Sequence, residues 1–110
     1  MGKDDNYYLS QTLNETSLIL EYFKEHTIDD LKKNSILLDA IVFRMIQMFE
    51  HTEKVSEAFK QVHPEIKWIN IKGFRNRLVH DYGGVDLSFV FNAISQDIPL
   101  LQKQLFDILG

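Results

Sequence analysis

The residues best suited to chemistry in this sequence lie together between Lys67 and Tyr82, in the run KWINIKGFRNRLVHDY. From Lys67 to His80 the run has four basic residues and no carboxylate, so it carries about +4 in a chain of formal net charge −4. A local reversal of charge is typical of a site for an anion, most often phosphate or nucleic acid. The segment therefore predicts an anion-binding site in which Lys72 and Arg77 contact the substrate.

The end of this run places an arginine, an amide, an imidazole and a phenol on about two turns of helix: Arg75, Asn76, His80 and Tyr82. At about 100° per residue, Asn76 and His80 lie on one line, so the amide can orient the imidazole. Arg75 and His80 point about 140° apart on an ideal helix. We therefore expect either that the helix ends early and His80 turns towards Arg75, or that a second subunit closes the site.

Each of these residues also has a purely structural interpretation. A histidine at a helix end beside two glycines is often a cap that complements the helix dipole. Arg75 can be a solvated or salt-bridging residue, and Arg77, three residues before His80, is the alternative arginine if the helix stays regular. Asn76 can be a surface amide, and Tyr82 can pack beneath the turn.

An arginine, four intervening residues, a histidine, one residue and a tyrosine resemble the motif of the HEPN superfamily, and specifically of the HepT-like toxins. The flanking segments HPEIKW, GVDLSF and DIP agree with this resemblance, which covers roughly the last two thirds of the chain. Glu50 is similar to a glutamate common in the long helix of the family, although Phe49 stands where a glycine is usual.

The resemblance implies a homodimer, or a higher oligomer, in which two motif helices build one composite active site. Arg75 would bind the phosphate, Asn76 would position, and two copies of His80 would act as general base and general acid on RNA. The ribose 2′-hydroxyl would attack, so neither a metal nor a cofactor is expected. The family also implies a type VII toxin-antitoxin system, in which an MntA-like nucleotidyltransferase antitoxin neutralises the toxin by AMPylation of Tyr82.

Length and composition set broad limits. A chain of 110 residues with 45% hydrophobic and 25% charged residues is expected to form one globular domain, residues 1–110. The sequence has no cysteine, which excludes a disulfide framework and a thiolate metal site. Its N-terminus is too polar for a signal peptide and no apolar run reaches the roughly 18 residues of a membrane span, so we expect a cytoplasmic protein without membrane contacts.

Hydrophobic spacings of three and four residues predict an all-α protein, an up-and-down four-helix bundle with one additional short helix. The predicted helices cover about 5–25, 28–33, 35–62, 68–82 and 87–109. We expect Asn34 or Ser35 to cap the longest helix, with Val62 on its buried side, and Asp86 to cap the last. Pro99 removes one backbone hydrogen bond, which predicts a kink near residues 95–99.

Two functions from other classes stay open at the level of sequence. One is a non-catalytic helical module that only docks on a nucleotidyltransferase. The other is a nucleotide-binding regulator, which would bind ATP or AMP in a manner that depends on Arg75. Cleavage of RNA that requires His80 separates both from an endoribonuclease.

Overall fold

The computed structural model describes residues 4–81, 83 and 86–110, and within them it is all α-helical without a strand. The helices are α1 (Asp5–Phe23), α2 (Ile28–Lys33), α3 (Ser35–Glu53), α4 (Glu57–Val62), α5 (Trp68–Asp81), α6 (Ser88–Asn92) and α7 (Ile98–Leu109). A π-helical turn, Ala93–Asp97, joins α6 to α7 in one continuous rod. The long rods α1, α3, α5 and α6–α7 form the four-helix bundle, and α2 is the expected short helix.

The helix starts follow from capping side chains. The Asp4 carboxylate caps α1, and Asn34 caps α3 by accepting from the backbone N–H of Leu37 at 3.0 Å. Thr27 and Asp30 form a capping box at α2. The first helix ends at Phe23, two residues earlier than predicted, and Glu25 adopts a positive φ of 65°.

The core lies between α1, α3 and the α6–α7 rod, and α5 packs against α3. Nineteen apolar side chains are buried, with Leu9, Ile19, Ile41, Met45 and Leu105 among those of zero exposure. The overall extents are 43 × 26 × 26 Å. The buried stripes have the three- and four-residue spacing that predicted them.

The prediction of one long helix from residue 35 to 62 is wrong. The helix ends at Glu53, and Ser56 caps the new helix α4 by accepting from the backbone N–H of Phe59 at 3.1 Å. Ser56 is held by Asp5, whose carboxylate accepts from its backbone N–H at 2.8 Å and from its hydroxyl at 2.7 Å. Because α4 takes a new direction, Val62 is 72% exposed instead of buried.

The last rod departs from α-helical geometry close to the predicted place. The backbone N–H of Ile98 donates to the carbonyl of Ala93, five residues earlier, which defines the π turn. Pro99 follows at the start of α7, where its missing N–H removes one bond from the ladder. Asp86 does not occupy the cap position, which belongs to Leu87, but its carboxylate accepts from the backbone N–H and hydroxyl of Ser88 at 2.9 and 2.6 Å.

Candidate active site

The helix α5 presents the candidate site because only one of its faces is docked. Leu78 is completely buried, and Phe74 lies with its ring centroid 5.7 Å from both Phe49 on α3 and Phe89 on α6. Trp68 and Ile71 complete this docked face as partly buried side chains. The opposite face, which carries the motif, is open to solvent.

Arg75 is exposed, and its Nη1 donates to Oδ1 of Asn76 at 3.3 Å. It forms no ion pair with any residue that the structure describes. Arg75, Asn76 and Lys72 all line one cavity of about 650 Å³, between the end of α3, α4 and the start of α5. The guanidinium is therefore available to a ligand, and the amide positions Arg75 instead of His80.

His80 belongs to the regular part of α5, which continues to Asp81. The first of the two alternatives, in which the helix ends early and His80 turns towards Arg75, is therefore wrong. On an ideal helix the Cα atoms of Arg75 and His80 are about 9 Å apart and their side chains diverge by about 140°. His80 is exposed, does not line the cavity of Arg75, and makes no hydrogen bond within the described residues.

Arg77 makes contacts with two described residues, an aromatic ring on α6 and a carboxylate on α5. Its Cζ lies 4.3 Å from the centroid of the Phe89 ring, and its Nε lies 3.7 Å from Oδ2 of Asp81. The first contact joins α5 to α6, and the second is an i,i+4 ion pair along α5. The pKa of Asp86 is lowered, mainly by the hydrogen bonds from Ser88 and to a smaller extent by the charge of Arg77. Arg77 therefore helps to hold α5 against α6, while its side chain stays 55% exposed.

The cavity also contains carboxylates that sequence reasoning did not connect with the motif. Glu50 and Glu53 come from the last turn of α3, and Glu57 comes from the first turn of α4. The expectation of an unbroken helix through residue 62 concealed the bend that brings these residues around the cavity. The signal available in the sequence was the spacing of Glu50 and Glu53, which are three residues apart and therefore lie on one face of a helix.

Two of the other histidines, His26 and His63, lie near carboxylates. Nδ1 of His26 lies 3.1 Å from Asp30, and Nδ1 of His63 lies 3.0 Å from Glu65. The hydrogen bond from His63 lowers the pKa of Glu65. Within residues 4–81, 83 and 86–110 no cluster of His, Asp and Glu could hold a metal ion. The proposed modification site, Tyr82, lies outside the described residues.

In the same described part of the chain, no helix combines the length and apolar character that crossing a bilayer requires.

Comparison with known proteins agrees with the motif. Residues 12–108 match the family described as HepT-like, ribonuclease HepT-like. A protein of Caldanaerobacter subterraneus subsp. tengcongensis, named "Putative RNase", is 30% identical over 102 residues, which cover 93% of this chain and 91% of that protein. A "Probable ribonuclease HepT" of Thermococcus cleftensis is 28% identical over 102 residues, 93% of each chain. No solved structure gives a significant match.

Proposed function

The chain belongs to the family of HepT-like ribonucleases, and on that premise we propose that it is a metal-independent endoribonuclease whose active site forms between two copies of α5. The observation that carries this proposal is the state of Arg75 and His80. Both are exposed and lack an ion pair among the described residues, yet one helix points them in different directions. A single chain therefore has the groups for the reaction but does not bring them together.

The reaction needs only acid-base chemistry and charge stabilisation. One His80 takes the proton from the ribose 2′-hydroxyl, whose oxygen attacks the adjacent phosphorus, and the second His80 protonates the departing 5′-oxygen. Arg75 binds the phosphate and stabilises the charge that grows on it in the transition state. Asn76 holds Arg75, while Lys72 and Arg77 contact neighbouring phosphates. The products are a 2′,3′-cyclic phosphate and a free 5′-hydroxyl.

The outer face of α5 supports a second copy of the chain as the partner. Ile69, Gly73, Asn76 and His80 follow one another at steps of four, three and four residues, which places them on one line of the helix. Ile69 is 82% exposed, and a Cβ built on Gly73 would meet nothing within 4 Å. Glycine inside a helix costs about 1 kcal/mol relative to alanine. No packing within the described chain accounts for this cost, whereas a helix that crosses closely at Gly73 would.

Exposed apolar side chains on α3 extend this surface. Phe43 is 53% exposed and Ile46 is 36% exposed, on the helix α3 that packs against α5. The contact of Phe49 with Phe74 sets the register of the two helices, and five residues further along α5 Val79 is 53% exposed. A two-fold axis near His80 would bury these side chains and bring the two imidazoles towards one cleft.

We further propose that the protein is the toxin of a toxin-antitoxin pair. A nucleotidyltransferase antitoxin would transfer AMP from ATP to the phenol oxygen of Tyr82, seven residues after Arg75 in the sequence, with release of pyrophosphate. The attached phosphate would then compete with RNA for the guanidinium of Arg75. Coexpression with a nucleotidyltransferase encoded beside this chain should add the mass of AMP to the peptide that contains Tyr82, and Tyr82→Phe should prevent it.

The test of nuclease activity uses the purified full chain and total RNA in the presence of a metal chelator. Cleavage with 2′,3′-cyclic phosphate ends, lost in His80→Ala and absent with DNA of the same sequence, supports the proposal. RNA that stays equally intact with the unsubstituted chain and with His80→Ala contradicts it and favours a non-catalytic module. Saturable binding of AMP that depends on Arg75, without cleavage, would instead indicate a nucleotide-binding regulator.

A further inference from the structure

The cavity beside Arg75 has side chains in its lining that the cleavage chemistry does not use. Its volume of about 650 Å³ is within the range of small-molecule sites, roughly 300–1,000 Å³. Lys60, Lys72 and Arg75 contribute basic groups to its lining, and Glu50, Glu53 and Glu57 contribute carboxylates. Trp68 also lines the cavity, seven residues before Arg75 on α5. The last residues of α3 and the first residues of α5 line this cavity together.

The lining mixes basic and acidic side chains, and two of its carboxylates are unpaired within the described residues. Glu50 and Glu53 make no ion pair with any described residue, and Glu57 lies 4.0 Å from Nζ of Lys60. A phosphate is attracted to Arg75 but repelled by the carboxylates. A neutral group that donates hydrogen bonds is the chemical complement of an unpaired carboxylate such as Glu53.

The position of Glu53 is unfavourable for the stability of α3. A carboxylate in the last turn of a helix faces the negative end of the helix dipole. Glu53 is the final residue of α3, and it lacks a basic partner among the described residues. Its placement is therefore better explained by a ligand than by folding.

Trp68 gives this cavity a rigid aromatic wall. Its Nε1 donates to the carbonyl of His63 at 3.1 Å, and the ring of Phe59 packs edge-on with centroids 6.4 Å apart. Nζ of Lys60 lies 5.6 Å from the indole centroid. An aromatic ring fixed in this way is suited to contact with the flat face of a nucleobase. Trp68 and Arg75 are seven residues apart, about 10 Å along the axis, a separation that one nucleotide can bridge.

We propose that this cavity is a base-recognition subsite for the nucleotide at the cleaved phosphate, and that it selects guanine through Glu53. Guanine presents N1–H and the N2 amino group side by side, and one carboxylate can accept from both. Uracil presents carbonyl oxygens on either side of its single N–H, and these oxygens would face the carboxylate. The inference rests on the proposed ribonuclease function for its place in the reaction, but binding of a base can be measured without cleavage.

The first experiment measures binding of guanosine 3′-monophosphate and uridine 3′-monophosphate to the full chain by calorimetry. We expect the guanosine nucleotide to bind at least about tenfold more tightly, the size of effect that one well-placed pair of hydrogen bonds gives. Glu53→Gln should reduce this ratio to within about twofold, because an amide both donates and accepts. Glu21→Gln, on the exposed part of α1 and outside the cavity, is the matched control and should keep the ratio.

The second experiment sequences the ends that the protein produces from a random RNA pool. Guanine should be enriched at one fixed position beside the cut, and Glu53→Gln should lose this enrichment. The melting temperature of Glu53→Gln should not fall, since the substitution removes an unfavourable charge. Cleavage without base preference, or a preference that survives Glu53→Gln, overturns the subsite alone. Intact RNA together with guanosine selectivity would overturn the ribonuclease and leave the subsite in place.

Discussion

A mixture of the unsubstituted chain with His80→Ala tests the composite site directly. If two copies of His80 serve one cleft, a dimer with a single substituted chain has lost either the general acid or the general base. Each such group contributes about 10²–10⁴-fold in rate, so the mixed dimer is almost inactive. Exposed His80 makes no hydrogen bond with the described residues, and its replacement should leave the fold unchanged.

The expected magnitude follows from random pairing in a two-fold dimer. At equal amounts of the two chains, about one quarter of the dimers carry both copies of His80, so about one quarter of the rate should remain. Chains that each cut RNA independently would keep about one half. Across several mixing ratios the rate should follow the square of the unsubstituted fraction.

The assay is the initial rate of cleavage of an RNA labelled with a fluorophore and a quencher, after subunit exchange is verified by native mass spectrometry. His26→Ala is the matched control, because this histidine contacts Asp30 away from the motif helix. Mixtures that contain it should keep the full rate at every ratio. A linear loss of rate with the fraction of His80→Ala would refute the shared cleft.

Three further substitutions test the interface and the scaffold. Ile69→Glu should convert the dimer into a monomer with an unchanged circular dichroism spectrum and abolish cleavage, whereas a dimer that persists by light scattering would remove α5 from the interface. Leu78→Ala should cost about 3 kcal/mol in urea unfolding, because the leucine is completely buried, and a cost below about 1 kcal/mol would mean that α5 is loosely docked. The pKa of Asp5 is lowered, chiefly by the hydroxyl of Ser56 and then by its backbone N–H, so its contribution exists above the ordinary value of 3.8 and is lost as the pH falls through the lowered value. Asp5→Asn should therefore be less stable by up to about 1 kcal/mol at pH 6, after allowance for solvent screening, and the difference should shrink as the pH falls below 3.8. A difference that stays constant with pH would rule out this linkage.

Sequence periodicity predicted the rods of the bundle because their apolar spacing is local information. The stripe of α3, with Ile41, Met45 and Phe49, is buried as expected. Asn34 caps α3, and it was one of the two residues predicted for this position from residue type. The divergence of Arg75 and His80 also followed from helix geometry, since α5 remains regular through both residues.

The break after Glu53 could not be predicted because its cause is distant in sequence. Asp5 stabilises the cap at Ser56 from 51 residues away, and no proline or glycine marks the place. The role of Arg77 was hidden for the same reason, because its partner ring, Phe89, belongs to another helix. Local patterns therefore predict which residues are candidates for contact with a ligand, but only tertiary contacts show that one of them, Arg77, also packs against another helix.

The hydrogen bonds between Asp5 and Ser56 connect the first turn of α1 to the binding cavity, although the two residues are far apart in sequence. Ser56 begins α4, and α4 carries Glu57 and Lys60 into the cavity lining. Removal of the first turn of α1, or a bulky fusion placed against it, should therefore destabilise the start of α4. This helix lines the cavity but lies more than fifty residues later in the sequence. A modification of the first turn of α1 should in this way alter the proposed ligand selectivity without touching any group that lines the cavity.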